Sequence, residues 1–545
     1  MNGFGTTARA AISAALTLAA IGFIPGAAPG REPPRKTSSP ASVHAATPPQ
    51  PGGGPPVAQA EPAFRRDTGP AAGPARQAGL ERLGRLRLRR SEEIGGSPWG
   101  VSCHWIADEH PLEVQQRLEH VSALGIKWAF LVPDWDRIER QKGKYDWNGP
   151  SHRLDDVVTG LVRRKVTPII QIYGGNRLYT PAQMDPNQRQ LADAARLLDD
   201  AEVRQAWYRF LEALVRRYGP HVRVWEIWNE PNGPWFWQTP TSVKDYGRMV
   251  KAVAEIIRRV QPEALILAGS TANVPRDYLE AFLSSDGADS FDHWSVHPYG
   301  DLPEASDAQI RGAAELLRTR GKSPVLWQSE CGFPSSADTA GWGFGGAWDE
   351  TKHAKWVLRR LLSDAALEMP VSIYFVVHDY PGMLEGGPNR GRMGINRKGL
   401  YWYGSWERKP AAHAVAHLSS LLDDRWEPAP SAQPIRFEIT ATGTLTTAKA
   451  ELIKRYPLKH KLSGQPALVY WLGVPMATRF QPARVTLTWP GVQIAQSVLV
   501  DLLDGEVYAV PHEIQSGKLR MVNLPLADSP LVLCSRNAVE MVGQK

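Results

Sequence analysis

Two glutamates stand out because each ends a short apolar run. Residues 222–228 lead into Asn229-Glu230-Pro231-Asn232, and residues 324–329 lead into Glu330-Cys331-Gly332. Gly219-Pro220 and Pro231 bracket the first run, which therefore reads as a buried strand stopping at a loop. In a parallel barrel, such strand tips share one face. Two carboxylates across that face could cleave an acetal link. One would protonate the leaving oxygen while the other attacks carbon or activates a water. That chemistry needs one carboxyl protonated beside an ionised one. Each charge raises the other's proton affinity, which provides the split. The competing reading is two unrelated, solvent-facing glutamates, because spacing alone does not join them.

The elements that would position them begin near Ser97. Apolar periodicity predicts strands at 99–104, 126–133, 166–173, 222–229, 264–268, 293–297, 324–329 and 371–377. It predicts helices at 112–124, 154–165, 203–218, 243–260, 277–284, 308–320, 352–367 and 410–422. Eight strand–helix units over about 320 residues fit a (β/α)8 TIM barrel. Periodicity does not separate this from a doubly wound sheet. Loops rich in Gly, Pro and aromatics follow strands three, four, seven and eight (173–179, 235–237, 342–348, 380–406). All would lie on the face of Glu230 and Glu330 and build a cleft. Beyond Asp424, short β-like runs separated by Pro and Gly predict an antiparallel β-sandwich that supports the barrel.

The 545 residues thus divide into four stretches. Residues 1–30 hold Arg9 and an apolar stretch over 10–24, expected to be a signal peptide or an N-terminal membrane anchor. Residues 31–96 read as a disordered, basic linker rich in Pro, Ala and Gly. Residues 97–424 form the barrel and 425–545 the sandwich.

The net charge of +7 does not indicate a nucleic-acid partner. Residues 1–98 carry twelve basic and six acidic side chains, leaving the remainder about +1. Three cysteines make no disulfide framework, and no paired spacing indicates zinc. Cys331 reads as a small strand-end residue, since no activating base accompanies it. Twenty Trp is a high count. Trp235, Phe236 and Trp237, just past Glu230, are candidates for stacking on a ring, with packing of the loop as the alternative.

Trp228-Asn229-Glu230-Pro231, His297-Pro298-Tyr299 and the strand-seven Glu330 together resemble clan A of the glycoside hydrolases. The resemblance covers about residues 98–425. It implies Glu230 as acid/base and Glu330 as nucleophile. It implies Asn229 on a sugar 2-hydroxyl, and Tyr299 holding the nucleophile with His297 nearby. Asp134 to Glu139, Gly143 to Trp147, and Asn229 to Asn232 with Trp237 look like family 39 and related bacterial endoglycosidases that cut secreted polysaccharides.

Two positions depart from the clan. Phe130 stands where an arginine usually supports the nucleophile, and strand eight, Tyr374-Phe375-Val376-Val377, lacks the usual Trp floor. The expectation is an exported, retaining glycosidase with no metal and no organic cofactor, endo-acting on a polysaccharide. Its carboxyl groups would lie about 5–5.5 Å apart. The alternatives are an exo-β-glycosidase such as a xylosidase, or a carbohydrate-binding or biosynthesis-associated protein without turnover.

Overall fold

The computed structural model describes residues 68–543, apart from 180–193, 238–240, 322–325, 337–347, 384–392 and 445–448. Eight parallel strands close into a barrel: Trp99–Ser102, Trp128–Leu131, Thr167–Ile172, Val224–Ile227, Leu265–Ala272, His293–His297, Leu326–Cys331 and Ser372–Tyr374. The last pairs with the first through Ser372 with Trp99 and Tyr374 with Val101. Closure excludes the doubly wound sheet.

The fourth strand shows why these residues fold so. Its side chains alternate with the pleat. Trp225 and Ile227 join the core under the helices, while Val224 joins the barrel interior. Glu226 faces inward too, where it meets Gln171 of the third strand and Ser270 of the fifth. Phe130, Ile169, Val224, Leu267, Trp327 and Ile373 form an apolar floor. One pleat above it the interior turns polar, with Gln171 following Ile169 and Glu226 following Val224.

The returning helices start at side-chain caps. Asp200, Ser242 and Asp349 accept from backbone N–H groups of Ala201–Tyr218, Val243–Val260 and Glu350–Ala366. Among the described residues no helix is long and apolar enough to cross a membrane.

After the helix Pro410–Leu421, two antiparallel sheets face each other. The smaller holds Arg436–Ala441, Ala483–Pro490, Lys518–Leu526 and Glu513–Gln515, and the larger is built around Pro466–Leu472, Leu531–Ser535 and Ser497–Asp501. Leu468, Tyr470, Leu499 and Leu533 pack against Val485, Leu487, Met521 and Leu524 in one core. The larger sheet also takes in Ile453–His460, which follows the tight turn Ala450–Leu452.

The sandwich joins the barrel through buried ion pairs on Glu350–Ala366. Arg359 meets Glu304 through two bonds of 2.6 and 2.8 Å and donates to Val474 O at 2.7 Å. Lys355 bonds Asp528 of the sandwich at 2.7 Å. Trp471 of the sandwich donates to Glu304 at 2.6 Å.

The linker expected over 31–96 needs correction. Arg82–Leu86 is a strand of the larger sheet, antiparallel to Glu506–Ala509 and to Met541–Val542. The basic run is neutralised in place. Arg82 and Arg85 meet Glu506, Arg87 meets Glu93 and Glu540, Arg89 meets Asp423, and Arg90 meets Glu119. Composition misleads here because Glu506 lies 424 residues beyond Arg82. The signal or anchor expected at 1–30 lies outside the described residues.

Candidate active site

The fourth strand ends in an unusual backbone. Trp228 has φ of 71° and Glu230 of 42°, a region that non-glycine residues seldom adopt. Two hydrogen bonds hold the turn: Trp228 N–H to Ile172 O and Glu230 N–H to Ser270 O, both 2.9 Å. Trp228 is buried between Tyr173 and Trp237, which anchors the strand tip.

The turn brings Glu230 Oε1 to 3.0 Å from His297 Nδ1. Tyr299, two residues on from His297, donates its hydroxyl to Glu330 Oε1 at 2.8 Å. One donor atom from each of Glu230, His297 and Glu330 lies within 4.8 Å of the others. A cation bound there would compete with both of these hydrogen bonds. Asn229 Oδ1 accepts from Gln171 Nε2 at 3.1 Å, which turns the amide's N–H end to the cleft side of the pair.

The charges of this group are coupled. Burial lifts the Glu330 pKa, and the charge of Glu230 adds to that. His297, the Tyr299 hydroxyl and Lys398 pull the other way, and the net result is a raised value. Burial alone would lower the His297 pKa, but the charges of Glu330, Glu230 and Glu226 outweigh it and raise it to about 8. Burial and the charge of Glu330 push the Tyr299 phenol well up, so it stays a donor. Arranged this way, the group can hold a proton on one carboxyl and a charge on the other.

Phe130 lies in the apolar floor and stacks on His104, with ring centroids 6.2 Å apart. Positive charge reaches Glu330 from His297 and from Lys398, which sequence reasoning did not single out. Lys398 is buried, with its Nζ 5.8 Å from the Tyr299 ring centroid and 5.7 Å from that of Phe375. No motif marks it, because it lies in the loop after strand eight. Where that strand lacks a Trp, Phe375 makes an edge contact with His104, and Trp105 stands 4.2 Å from Tyr380.

Trp237 does not present a face to a ligand. It is 1% exposed and packed on Trp228 and Tyr246, so the loop-packing alternative describes it. Trp235 belongs to the short helix Pro234–Trp237, and its side chain lies outside the described residues. Cys331 is buried, with its thiol pushed up by burial and bonded to Pro298 O.

Comparisons with known proteins bear on this arrangement. The model of the cellulases, glycosyl hydrolase family 5, matches residues 92–383. No curated protein matches the chain. A family 39 glycoside hydrolase from the gut symbiont Bacteroides cellulosilyticus WH2 is 19% identical, with a TM-score of 0.55 and 83% of each chain covered. A monomeric beta-xylosidase from Caulobacter crescentus CB15 is 16% identical, with a TM-score of 0.51, over 82% of this chain and 98% of that one. The family 39 enzyme from Xanthomonas axonopodis pv. citri is 17% identical, with a TM-score of 0.50, over 81% of this chain and 95% of that one. At these identities the likeness establishes a shared fold, the one expected from the family 39 features of the sequence. With more than half its length under the family model, the chain belongs to the cellulase family, glycosyl hydrolase family 5 of clan A, and is a hydrolase of glycosyl bonds.

Proposed function

We propose that this glycosidase works with retention, using Glu330 as nucleophile and Glu230 as acid/base. The observation that carries the reading is the approach of the two carboxylates, with one oxygen of each within 4.8 Å of the other. Retaining pairs sit about 5–5.5 Å apart, and inverting pairs leave roughly 6.5–9.5 Å for a water.

Glu330 attacks the anomeric carbon while Glu230 passes its proton to the leaving oxygen. Water then attacks the glycosyl–enzyme bond, Glu230 takes the water's proton, and Glu330 leaves. The Tyr299 hydroxyl stabilises Glu330 each time it is ionised. Asn229 offers its amide N–H to the sugar 2-hydroxyl, and Trp235 stacks on a neighbouring ring.

The substrate is a polysaccharide cut internally, outside the cytoplasm. The long loops after strands three, four, seven and eight support an open cleft, and the apolar stretch at 10–24 supports export or a membrane tether. The fold shared with a beta-xylosidase favours removal of single terminal sugars as the second reading.

Reducing-end release from a panel of β-linked and bacterial polysaccharides tests both. A ladder of oligosaccharides supports internal cutting, and monosaccharide alone supports the second reading. Binding without release by the wild type would point to a carbohydrate-binding protein.

A further inference from the structure

Behind the two catalytic candidates stands a third buried carboxylate that the proposed reaction does not use. Glu226 lies two residues before Trp228 in the fourth strand and is fully buried. Its Oε1 accepts from Gln171 Nε2 at 2.9 Å and from the Ser270 hydroxyl at 3.0 Å. Ser270 Oγ also lies 3.0 Å from His297 Nε2 and 3.2 Å from Gln171 Nε2. The opposite ring nitrogen, Nδ1, is the one that meets Glu230. Four side chains from three neighbouring strands and a strand tip thus form a continuous line: Glu226, Ser270, His297, Glu230.

Counting hydrogens gives the line a direction. A hydroxyl has one hydrogen and two lone pairs. A carboxylate only accepts, so the Ser270 hydrogen goes to Glu226. Gln171 Nε2 has two hydrogens, and its two shorter contacts, to Glu226 and Asn229, take them. With its own hydrogen committed to Glu226, the Ser270 oxygen can meet the ring only by accepting an N–H, so His297 carries its proton on Nε2. Nδ1 then faces Glu230 Oε1 as a lone pair, and a single proton must lie between them, on the carboxyl or on the ring. With no proton there, two electron-rich atoms would confront each other at 3.0 Å. We propose that Glu226 is a positioning residue which, through Ser270, fixes the Nε2–H form of His297 and so keeps one proton bound in the Glu230–His297 pair. The proton that Glu230 passes on is then held in the pair before a sugar arrives. This inference rests on Glu230 being the acid/base.

The surroundings agree with that assignment. His297 is faced by Glu230 from strand four, Glu226 from the same strand, and Glu330 from strand seven, and their charges favour its protonated form. His104 from strand one is close enough to be repelled by it, and its own pKa falls to about 3, chiefly through burial. Tyr299 and Lys398 act on Glu330 rather than on the ring, and Tyr246 feels Glu226. The backbone ties the same residues together, because Ser270 O accepts the Glu230 N–H at 2.9 Å.

The test is a pH titration of ring nitrogens in the full-length protein labelled with ¹⁵N-histidine, with the His297 signal identified by its loss in His297→Gln. Wild type should show the Nε2–H form with a midpoint above the ordinary 6.5. Glu226→Gln and Ser270→Gly should each lower that midpoint by about one pH unit, and an Nδ1–H form should appear. Ser270 has φ of 47°, where glycine is at ease, so this second variant spares the backbone. An Nδ1–H form in wild type, or a midpoint that neither variant moves in folded protein, would overturn the proposal. The measurement needs no substrate. Spectra that behave as expected in a protein that cuts no glycoside would uphold the line of bonds and count against the assigned reaction instead.

Discussion

Where the barrel meets the sandwich, Glu304 lies against Arg359 and Asp528 against Lys355. At the barrel mouth, Glu226, Glu230 and Glu330 lie against Ser270, His297 and Tyr299. Both regions bury acids, but their partners differ in kind. An arginine keeps its proton at any working pH, so an acid paired with it is held in one charge state. Histidine, serine and tyrosine lend or share hydrogens, so an acid beside them can change state at modest cost. Permanent charge serves the joint, and adjustable charge serves the site. A residue from one region should therefore fail differently from a residue of the other.

The largest effect should come from the site. Glu330→Gln should lower kcat by at least ~10⁴-fold, while the thermal midpoint stays within a few degrees of wild type. A comparable loss of stability would mean that Glu330 belongs with the structural acids. The joint should behave in reverse. Arg359→Met leaves Glu304 buried without its cation and should cost about 3–5 kcal/mol in urea unfolding. The folded fraction should keep its kcat, and adding Glu304→Gln should recover part of the stability.

A pH series separates the regions more finely. Burial and the charge of Glu230 leave Glu330 above its ordinary 4.5, so the nucleophile is neutralised, and activity falls, already above that value. Glu304 differs in sign. Burial would raise it, but Arg359 and Trp471 outweigh burial and hold it below 4.5. Its contribution to stability is present above 4.5 and is lost as pH falls through the lower folded value. On acidification, turnover should fail before the fold does, as read by initial rates and circular dichroism on the same samples. The smallest effect should be Lys398→Met. Without that cation the Glu330 pKa should rise, moving the acid limb of the rate profile up by about half a pH unit. An unmoved limb would leave His297 as the cation that matters for Glu330.

The barrel was readable because its strands are short apolar runs between breakers. His293–His297 and the helix Val243–Val260 appear with the bounds their periodicity predicts. The glutamates were readable because each ends such a run. Gln171, Ser270 and Lys398 were not, since closure of the barrel, and no spacing along the chain, brings them to the glutamates. Trp237 misled for a physical reason. An aromatic beside a site serves equally well to stack on a sugar or to cover Trp228, and only burial tells them apart. Arg82–Leu86 was hidden by its charge, because its strand pattern is interrupted by arginines whose acidic partners come from distant parts of the chain.

That first strand has a consequence for biogenesis. Arg85 pairs with Val542, so the beginning and end of the described chain meet in one sheet. On a ribosome adding about 5–20 residues per second, the strand waits on the order of 20–80 s for its neighbour at 506–509. Throughout that interval it is an open edge, the kind of template on which chains aggregate. Arg82 and Arg85 keep such an edge soluble until Glu506, which pairs with both, is made. Their placement therefore guards the nascent chain first and braces the finished sheet afterwards.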